Sequence, residues 1–362
     1  MSATLATDLA AQAGRTLIVG FPGHEAPAEL PARVRAGRCG GVILFARNVA
    51  TPEQVAELCA ALRGAAPPDG PLLTCVDQEG GRVQRLRAPL TEWPPMATLA
   101  RHPPEVAHRV GLALGAEIAA LGFNLDFAPV LDVHTNPRNP VIGDRALGSD
   151  PTVVAERAVA LLRGLHAGGV ASCGKHFPGH GDTTVDSHLD LPVVAHDETR
   201  LRAVELLPFA RAVAAGVPMI MTAHVVFPAL DAFWPATMSA RVLRLLRRDL
   251  GFDGVIVSDD LEMKAVADRY SIEELVVTSL RAGCDAFLVC HRADLQEQAL
   301  EALVHRAERD GDTRTRLGEA AARVAVLQRR FAAPPYAPPA DLRARLGTEP
   351  HRALAALLAA AP

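Results

Sequence analysis

The chain has 362 residues, of which 49% are hydrophobic and 22% charged, so it is long enough to bury a large core and too apolar to be disordered. Its formal net charge of −4 excludes a bulk positive field that would attract nucleic acid or an anionic membrane. No apolar run approaches the roughly 20 residues of a membrane helix, and the N-terminus lacks a signal-peptide pattern. We therefore expect a cytoplasmic protein with neither a nucleic-acid nor a membrane partner.

The use of cysteine and lysine is uneven. Six cysteines are scattered without a C-x-x-C pair, which predicts buried free thiols and a reducing compartment. Only Lys175 and Lys264 are lysines among 37 basic residues, and all the others are arginines. A codon bias explains the general preference, but the retention of Lys175 indicates that a compact ammonium group is needed there.

Short apolar runs alternate with longer amphipathic segments along the chain. Each run is continuously apolar, which is typical of parallel strands buried on both faces. The amphipathic segments predict helices, and several begin with a capping signal, such as Thr51 before a proline, Asp150 before a proline, and Ser271. The predicted strands cover 16–21, 41–45, 72–77, 123–130, 170–176, 219–224, 254–259 and 286–290. The predicted helices include 52–62, 104–121, 151–167, 198–215 and 272–282.

The number of strand–helix units predicts the fold class. Eight units within roughly the first 310 residues favour an α/β fold of the (β/α)8 TIM-type barrel over an open sheet. A doubly wound sheet is the alternative, but no strand leads into a G-x-G-x-x-G turn. We predict one catalytic domain over 1–330, followed by a Pro/Ala-rich tail over 331–362 with one short helix near 351–360.

Polar residues cluster at the ends of the apolar runs. In a (β/α)8 barrel the carboxyl ends of the strands form the active-site rim. A single buried charge there is explained by a structural ion pair, but convergence from five strands predicts a functional site. The residues concerned are Asp77, Asp126, Asp132, Lys175, His176, His224, Asp259 and Asp260.

Alternation along the strands predicts which of these side chains face the site. Val255, Val257 and Asp259 share one side of their strand, so we expect Asp259 to face the substrate and Asp260 to face away. Lys175 and His176 are adjacent, so a twist or bulge is needed for both to point inward.

The segment 175–188, KHFPGHGDTTVDSH, predicts a long loop that leaves the rim. It ends with Asp186 close to His188. A carboxylate beside an imidazole orients the ring and favours its protonated form, so His188 can act as a general acid and then as a base. The alternative is an Asp–His hydrogen bond that only stabilises the loop.

A metal site is a second interpretation of this segment. His176, His180, Asp182, Asp186 and His188 all have the chemistry of metal ligands. A barrel metallohydrolase of the amidohydrolase kind usually carries H-x-H at the end of its first strand, and here that strand ends with VGFPGHE, without this pattern. We therefore expect no metal.

Together these motifs resemble glycoside hydrolase family 3, and within it the single-domain bacterial β-N-acetylglucosaminidases of cell-wall recycling. The similarity runs in order from about residue 15 to residue 330, and the loop motif is specific to this subgroup. The matching segments are DQEGGRVQR (77–85), NLDFAPVLDV (124–133), GDRALGSDP (143–151), GKHFPGHGDTTVDSHLDLP (174–192), MTAHVVFP (221–228) and GFDGVIVSDDLEMKA (251–265).

The resemblance implies a role for each matching residue. Asp259 corresponds to the nucleophile of the family, and His188 to the acid/base of the subgroup with Asp186 as its partner. Larger members carry a second domain that supplies an acid/base carboxylate, for which this chain lacks the length. The residues that correspond to those holding the terminal sugar are Asp77, Arg85, Arg145, Lys175 and His176.

The resemblance also implies the reaction. We expect a retaining exo-β-N-acetylglucosaminidase, a monomer without a cofactor, that acts on GlcNAc-anhydroMurNAc with or without a peptide. Two alternatives remain. Because a histidine acid/base is uncharged in its basic form, phosphate could replace water and make the enzyme a phosphorylase. A non-catalytic sugar-binding barrel is the other, although both catalytic positions are filled.

Overall fold

In a computed structural model, which describes residues 3–187, 189–332 and 335–360, the eight predicted runs form a closed parallel barrel. The predicted (β/α)8 fold is therefore confirmed. The strands among the described residues are β1 Leu17–Val19, β2 Gly41–Leu44, β3 Leu73–Val76, β4 Gln78–Gly80, β5 Val83–Gln84, β6 Leu125–Asp126, β7 Ala171–Phe177, β8 Met219–Thr222, β9 Val255–Asp260 and β10 Ala286–Val289. Around the barrel the order is β1, β2, β3, β6, β7, β8, β9 and β10, which pairs with β1.

The helices surround this barrel and connect its strands. The α-helices are α1 Ala3–Arg15, α2 Leu30–Arg35, α3 Pro52–Ala65, α4 Pro104–Ala120, α5 Pro151–Ala167, α6 Glu198–Ala203, α7 Leu207–Ala214, α8 Ala240–Arg244, α9 Lys264–Ala267, α10 Ile272–Ala282, α11 Ala293–Arg309, α12 Gly311–Phe331, α13 Leu342–Arg345 and α14 Glu349–Ala359. Short 3-10 turns cover Ala46–Asn48, Met96–Arg101, Gly143–Arg145 and Ala236–Met238, and a π turn covers Leu245–Asp249.

Alternation along each strand divides the buried side chains between two cores. On β8, Met219 and Met221 point into the barrel, whereas Ile220 packs against the surrounding helices. Strands covered on both sides in this way must be apolar throughout, which explains the continuous runs in the sequence.

The capping signals act as predicted. Thr51 Oγ1 accepts a hydrogen bond from Gln54 N (3.1 Å) at the start of α3, and Asp150 Oδ1 accepts one from Thr152 N (2.7 Å) at the start of α5. Ser271 forms a capping box at the start of α10. These bonds satisfy backbone N–H groups that have no partner within the helix.

The structure differs from the prediction in two places. The predicted helix over 198–215 is two helices, α6 and α7, because Pro208 lacks an N–H group and is accommodated in the first turn of α7. The hairpin of β4 and β5 was not predicted. Its turn uses Gly80 and Gly81, whose φ angles of 107° and 57° favour glycine.

The C-terminal residues pack on the barrel through α4. Glu117 of α4 is buried and accepts hydrogen bonds from the loop residue Thr91, through its N (2.8 Å) and Oγ1 (2.6 Å). The same carboxylate accepts bonds from Gly347 N (3.0 Å) and His351 Nδ1 (2.7 Å). One buried group thus joins α4, a loop and the tail.

Two further predictions concern cysteines and the membrane. All six cysteines are buried free thiols, as predicted. Within the described residues, no helix is long and apolar enough to cross a membrane.

Candidate active site

A cavity of about 410 Å³ opens at the carboxyl ends of the barrel strands. Its lining combines apolar side chains, such as Ile43, Met221 and Leu288, with many charged and polar ones. Ligand sites of (β/α)8 enzymes lie at this end of the barrel. Six of the eight predicted site residues line this cavity: Asp77, Arg85, Arg145, Lys175, His176 and Asp259.

The other two predicted residues, Asp186 and His188, belong to the sequence that follows β7. Ser187 lines the cavity, and the carbonyl oxygen of Asp186 accepts a hydrogen bond from Leu189 N (2.9 Å). His188 lies outside the described residues, so its catalytic role stays a prediction.

One wall of the cavity is a network of carboxylates and cations. Lys175 Nζ lies 2.9 Å from Asp77 Oδ1 and 2.6 Å from Glu79 Oε1. Arg145 binds Glu79 through two parallel hydrogen bonds, from Nε (2.9 Å) and Nη2 (2.8 Å). Arg85 Nη2 lies 3.3 Å from Asp77 Oδ2. Ion pairs that are both buried and hydrogen-bonded hold their side chains in fixed positions.

This network keeps its members charged. Burial alone raises the pKa of Asp77, but Lys175 and Arg85 outweigh it and hold the pKa below its usual range. The same balance, with Arg145 and Lys175 as the opposing cations, lowers the pKa of Glu79. Burial lowers the pKa of Lys175, yet Asp77 and Glu79 raise it above its usual value. The wall therefore offers both donors and acceptors to a neutral polyhydroxylated ligand.

His176 is oriented by Asp132 from the loop after β6. Its Nδ1 lies 2.7 Å from Asp132 Oδ2, so Nε2 is the nitrogen left for the cavity. Asp132 Oδ1 also accepts hydrogen bonds from His176 N (3.2 Å) and His180 N (2.6 Å). Burial raises the pKa of Asp132, but the neighbouring His176 and His180 outweigh burial and hold the pKa below its usual value. The carboxyl is therefore ionised.

The adjacent residues Lys175 and His176 both line the cavity, as predicted. The peptide bond between them is cis. Strand β7 shifts register against β8 between Gly174 and Phe177, which is the strand irregularity that the sequence required.

Strand β9 carries two consecutive carboxylates to the cavity. Val255 and Val257 lie inside the barrel, and Asp259 follows them on the same side, as the alternation predicts. The expectation that Asp260 faces away was wrong, because Asp260 also lines the cavity. The register of β9 against β10 shifts between Ala286 and Leu288, which breaks the alternation at this point.

The two carboxylates have different surroundings. Asp259 Oδ1 accepts a hydrogen bond from Asp260 N (2.8 Å). Asp260 is held at the rim, where its Oδ1 accepts from Cys290 N (3.3 Å) and its Oδ2 lies 3.2 Å from His291 Nε2. Among the described residues, Asp260 therefore has more polar partners than Asp259.

Several residues of the cavity were not among the predicted site residues. Glu79 belongs to the hairpin that the prediction missed, although it lies in the DQEGG segment singled out for Asp77. Phe45 and His291 form a stacked pair at the rim, with ring centroids 5.8 Å apart. The predicted strand over 41–45 has no charged residue at its end. The search for polar residues at strand ends therefore did not identify Phe45.

The fold and the cavity define an enzyme of the (β/α)8 class. A family model for the N-terminal domain of glycosyl hydrolase family 3 matches residues 13–327. The chain belongs to glycosyl hydrolase family 3, and it is therefore a glycoside hydrolase. The family predicted from the motifs is confirmed.

Curated relatives are similar over most of the chain. A β-hexosaminidase of Pseudomonas aeruginosa (strain LESB58) is 45% identical over 273 residues, which covers 75% of this chain and 80% of that protein. A β-hexosaminidase of Nitrosomonas eutropha is 43% identical over 272 residues and covers 73% of this chain and 77% of that protein.

Solved structures of similar proteins support the same family. A family 3 β-N-acetylglucosaminidase from Paenibacillus sp. str. FPU-7 superposes with a TM-score of 0.92 at 41% identity, over 97% of this chain and 68% of that one. NagZ from Neisseria gonorrhoeae, solved in complex with N-trifluoroacetyl-D-glucosamine, superposes with a TM-score of 0.78 at 34% identity. That alignment covers 95% of this chain and 97% of the other.

Proposed function

We propose that this chain is a retaining exo-β-N-acetylglucosaminidase that removes terminal β-linked N-acetylglucosamine. The identity of 43–45% to β-hexosaminidases supports the class of reaction. The observation that carries the proposal is the cavity itself, in which Asp259 lies together with the paired cations and carboxylates of the charged wall. A cavity of about 410 Å³ suits a ligand the size of the terminal sugar on which an exo-acting enzyme works.

The charged wall is suited to the hydroxyl groups of the terminal sugar. The side chain of Asp77 is 14% exposed, so its carboxylate can accept hydrogen bonds from the sugar. Lys175, Arg145 and Arg85 donate, and His176 offers Nε2. Charge-assisted hydrogen bonds are about twice as strong as neutral ones, which suits a ligand that carries no charge of its own.

The reaction proceeds in two steps. In the first, an Asp259 oxygen attacks the anomeric carbon and the bond to the aglycone breaks while protonated His188 gives its proton to the leaving oxygen. In the second, neutral His188 removes a proton from water, which attacks the same carbon and releases Asp259. Two inversions give net retention. An unperturbed histidine titrates near pH 6.5, so both of its forms are accessible around neutrality.

The resemblance of the loop motif extends the proposal to the substrate. We infer that the natural aglycone is anhydroMurNAc, with or without a peptide stem, released during peptidoglycan recycling in the cytoplasm. Asp186 supports the protonated form of His188 in this scheme. The enzyme acts as a monomer and uses neither a metal nor an organic cofactor.

The first test measures hydrolysis of 4-nitrophenyl N-acetyl-β-D-glucosaminide by EDTA-treated protein, with the matching β-glucoside as control. We expect release from the N-acetyl sugar only, with retention of the anomeric configuration by NMR. Added phosphate should leave free N-acetylglucosamine as the product. Formation of the sugar 1-phosphate would instead identify a phosphorylase, and loss of activity after chelation would identify a metal-dependent enzyme.

Replacing the nucleophile tests the role of Asp259. Because Asp259→Asn keeps the size of the side chain but cannot form the glycosyl ester, we expect kcat to fall by on the order of 10⁴-fold or more. The thermal unfolding midpoint should not change, which circular dichroism can verify. Near wild-type turnover by a folded variant would contradict the assignment.

A further inference from the structure

We propose that Glu79 is a positioning residue of this enzyme, whose carboxylate holds Lys175 and Arg145 in the arrangement that binds the terminal sugar. The proposal rests on the proposed function, because that function assigns the two cations to the sugar. Glu79 lies on β4, immediately beyond the end of β3, in a hairpin of which Glu79 and Val83 line the cavity.

The contacts of Glu79 account for both of its oxygens. Oε1 lies 2.6 Å from Lys175 Nζ and accepts a hydrogen bond from Arg145 Nη2 (2.8 Å). Oε2 accepts a hydrogen bond from Arg145 Nε (2.9 Å). The planar guanidinium therefore binds the carboxylate through two parallel bonds, a geometry that restricts both groups strongly.

Glu79 acts through its neighbours rather than on the sugar. Its side chain is 2% exposed, whereas that of Asp77 is 14% exposed. Lys175 Nζ has three N–H bonds, of which one points to Asp77 and one to Glu79, so one remains for a sugar hydroxyl. The position of that remaining donor is determined by the two carboxylates together.

Electrostatics explains why a carboxylate is required at this position. The Lys175 and Arg145 side chains are only 3% and 10% exposed, so water screens their mutual repulsion poorly. Glu79 lies between the two charges and contacts both. Without its charge the two cations would repel each other, and the more mobile lysine side chain would move. Burial also disfavours the charged form of Lys175, so its pKa would drop once one of its two carboxylate partners is lost.

Steady-state kinetics of Glu79→Gln tests the proposal. The variant keeps the side-chain size and removes the charge, and displacement of a binding group by about 1 Å can cost on the order of 100-fold in rate. We expect kcat/KM to fall by about that factor, with weaker product inhibition by N-acetylglucosamine. Glu117→Gln is the matched control, because Glu117 is equally buried but lies outside the cavity. It should lower thermal stability and leave kcat and KM unchanged.

The scarcity of lysine allows a direct second measurement. Protein labelled with [13Cε]lysine gives only two signals, and a Lys264→Arg variant assigns them. We expect Lys175 to titrate at lower pH in Glu79→Gln than in the otherwise identical protein. Because this experiment uses no substrate, it tests the contact even if the hydrolysis assay shows that the proposed function is wrong.

Two results would overturn the proposal. One is a folded Glu79→Gln protein with wild-type kcat and KM, and the other is an unchanged Lys175 titration. If Glu79→Gln does not fold, Glu79→Asp replaces it, since the charge is kept but the shorter side chain cannot reach both cations. Wild-type kinetics in Glu79→Asp would likewise show that the position of the carboxylate is unimportant.

Discussion

Two histidines, the buried His180 and the half-buried His166, have surroundings that favour their neutral form. His180 Nδ1 lies 2.8 Å from Thr183 Oγ1 and its Nε2 lies 3.0 Å from Ser187 Oγ. Burial lowers the pKa of His180 to about 4, with a smaller effect from His176. Burial, assisted by Arg330, also lowers the pKa of His166 to about 4. Among the described residues, the ring nitrogens of His180 contact hydroxyl groups, and Asp132 and Asp259 raise its pKa by less than burial lowers it.

These pKa values predict a loss of stability in weak acid. The unfolded chain takes up a proton at each histidine near pH 6.5, whereas the folded protein does so only near pH 4. The stabilisation is therefore complete above pH 6.5 and disappears as the pH falls to about 4. Between pH 7 and pH 5 we expect the free energy of unfolding to decrease by on the order of 1–2 kcal/mol per histidine.

Urea denaturation at several pH values measures this effect. His180→Asn should have a shallower pH dependence than the wild type between pH 7 and pH 5. His305→Asn, at an exposed position on α11, controls for the substitution itself. A wild-type stability that does not change over this interval would contradict the expectation.

At the scale of the elements, α4 and α5 approach each other through glycines. A Cβ added at Gly164 would lie 2.2 Å from the carbonyl oxygen of His108, and one added at Gly111 would lie 2.2 Å from that of Leu161. The helix backbones are therefore in direct contact. Since α5 leads into β7, this contact supports the strand that carries Lys175 and His176.

Two glycine-to-alanine substitutions should have opposite effects. Gly164→Ala forces the helices apart and should destabilise the protein by about 1–3 kcal/mol. Gly64→Ala on α3 meets no atom within 4 Å and should stabilise it by up to about 1 kcal/mol, because alanine favours the helix. Denaturation of the two variants side by side would check this, and equal effects would show that the close contact is unimportant.

The sequence predicted the strands better than their local irregularities. Continuous apolar runs identify β1 and β8 because parallel barrel strands are buried on both sides. The break between α6 and α7 was missed although Pro208 marks it, since the polarity pattern continues across the proline. The register shift of β9 depends on its pairing with β10, and the local sequence pattern of one strand does not predict how it pairs with another.

The same distinction applies to the cavity. Asp77 and Asp259 could be predicted because they end apolar runs. The role of Glu79 depends on contacts with Arg145 and Lys175, which are 66 and 96 positions away along the chain. Spatial partners of this kind follow from the closed barrel. Lys175 was singled out by its position at a strand end, but only the resemblance to a family pointed to Arg145 in advance.

At the scale of the whole molecule, the tail packs against the barrel. Leu354 and Leu358 of α14 are buried, and Tyr336 Oη donates a hydrogen bond to the carbonyl oxygen of Ala120 (2.8 Å). With the bonds of Glu117, these contacts join the last turns of the chain to α4. The division into a catalytic domain over 1–330 and a separate tail stays a prediction.

These contacts predict that the tail unfolds together with the barrel. Leu354→Ala should lower the free energy of unfolding by about 2–4 kcal/mol, because it leaves a cavity under α14. Leu357→Ala, at a position that is 47% exposed, should change it by less than about 0.5 kcal/mol. Circular dichroism and tryptophan fluorescence should show one coincident transition. A separate early transition in Leu354→Ala would indicate an independent tail.

The burial of all six thiols leaves the outside of the molecule free of reactive sulfur. A single cysteine introduced at Leu189, which is 68% exposed on the loop after β7, would therefore be the one site open to a maleimide dye. A fluorophore there would report on the segment that carries the proposed acid/base without any need to remove native cysteines. The wild-type background is thus already suited to single-molecule observation of an enzyme during turnover.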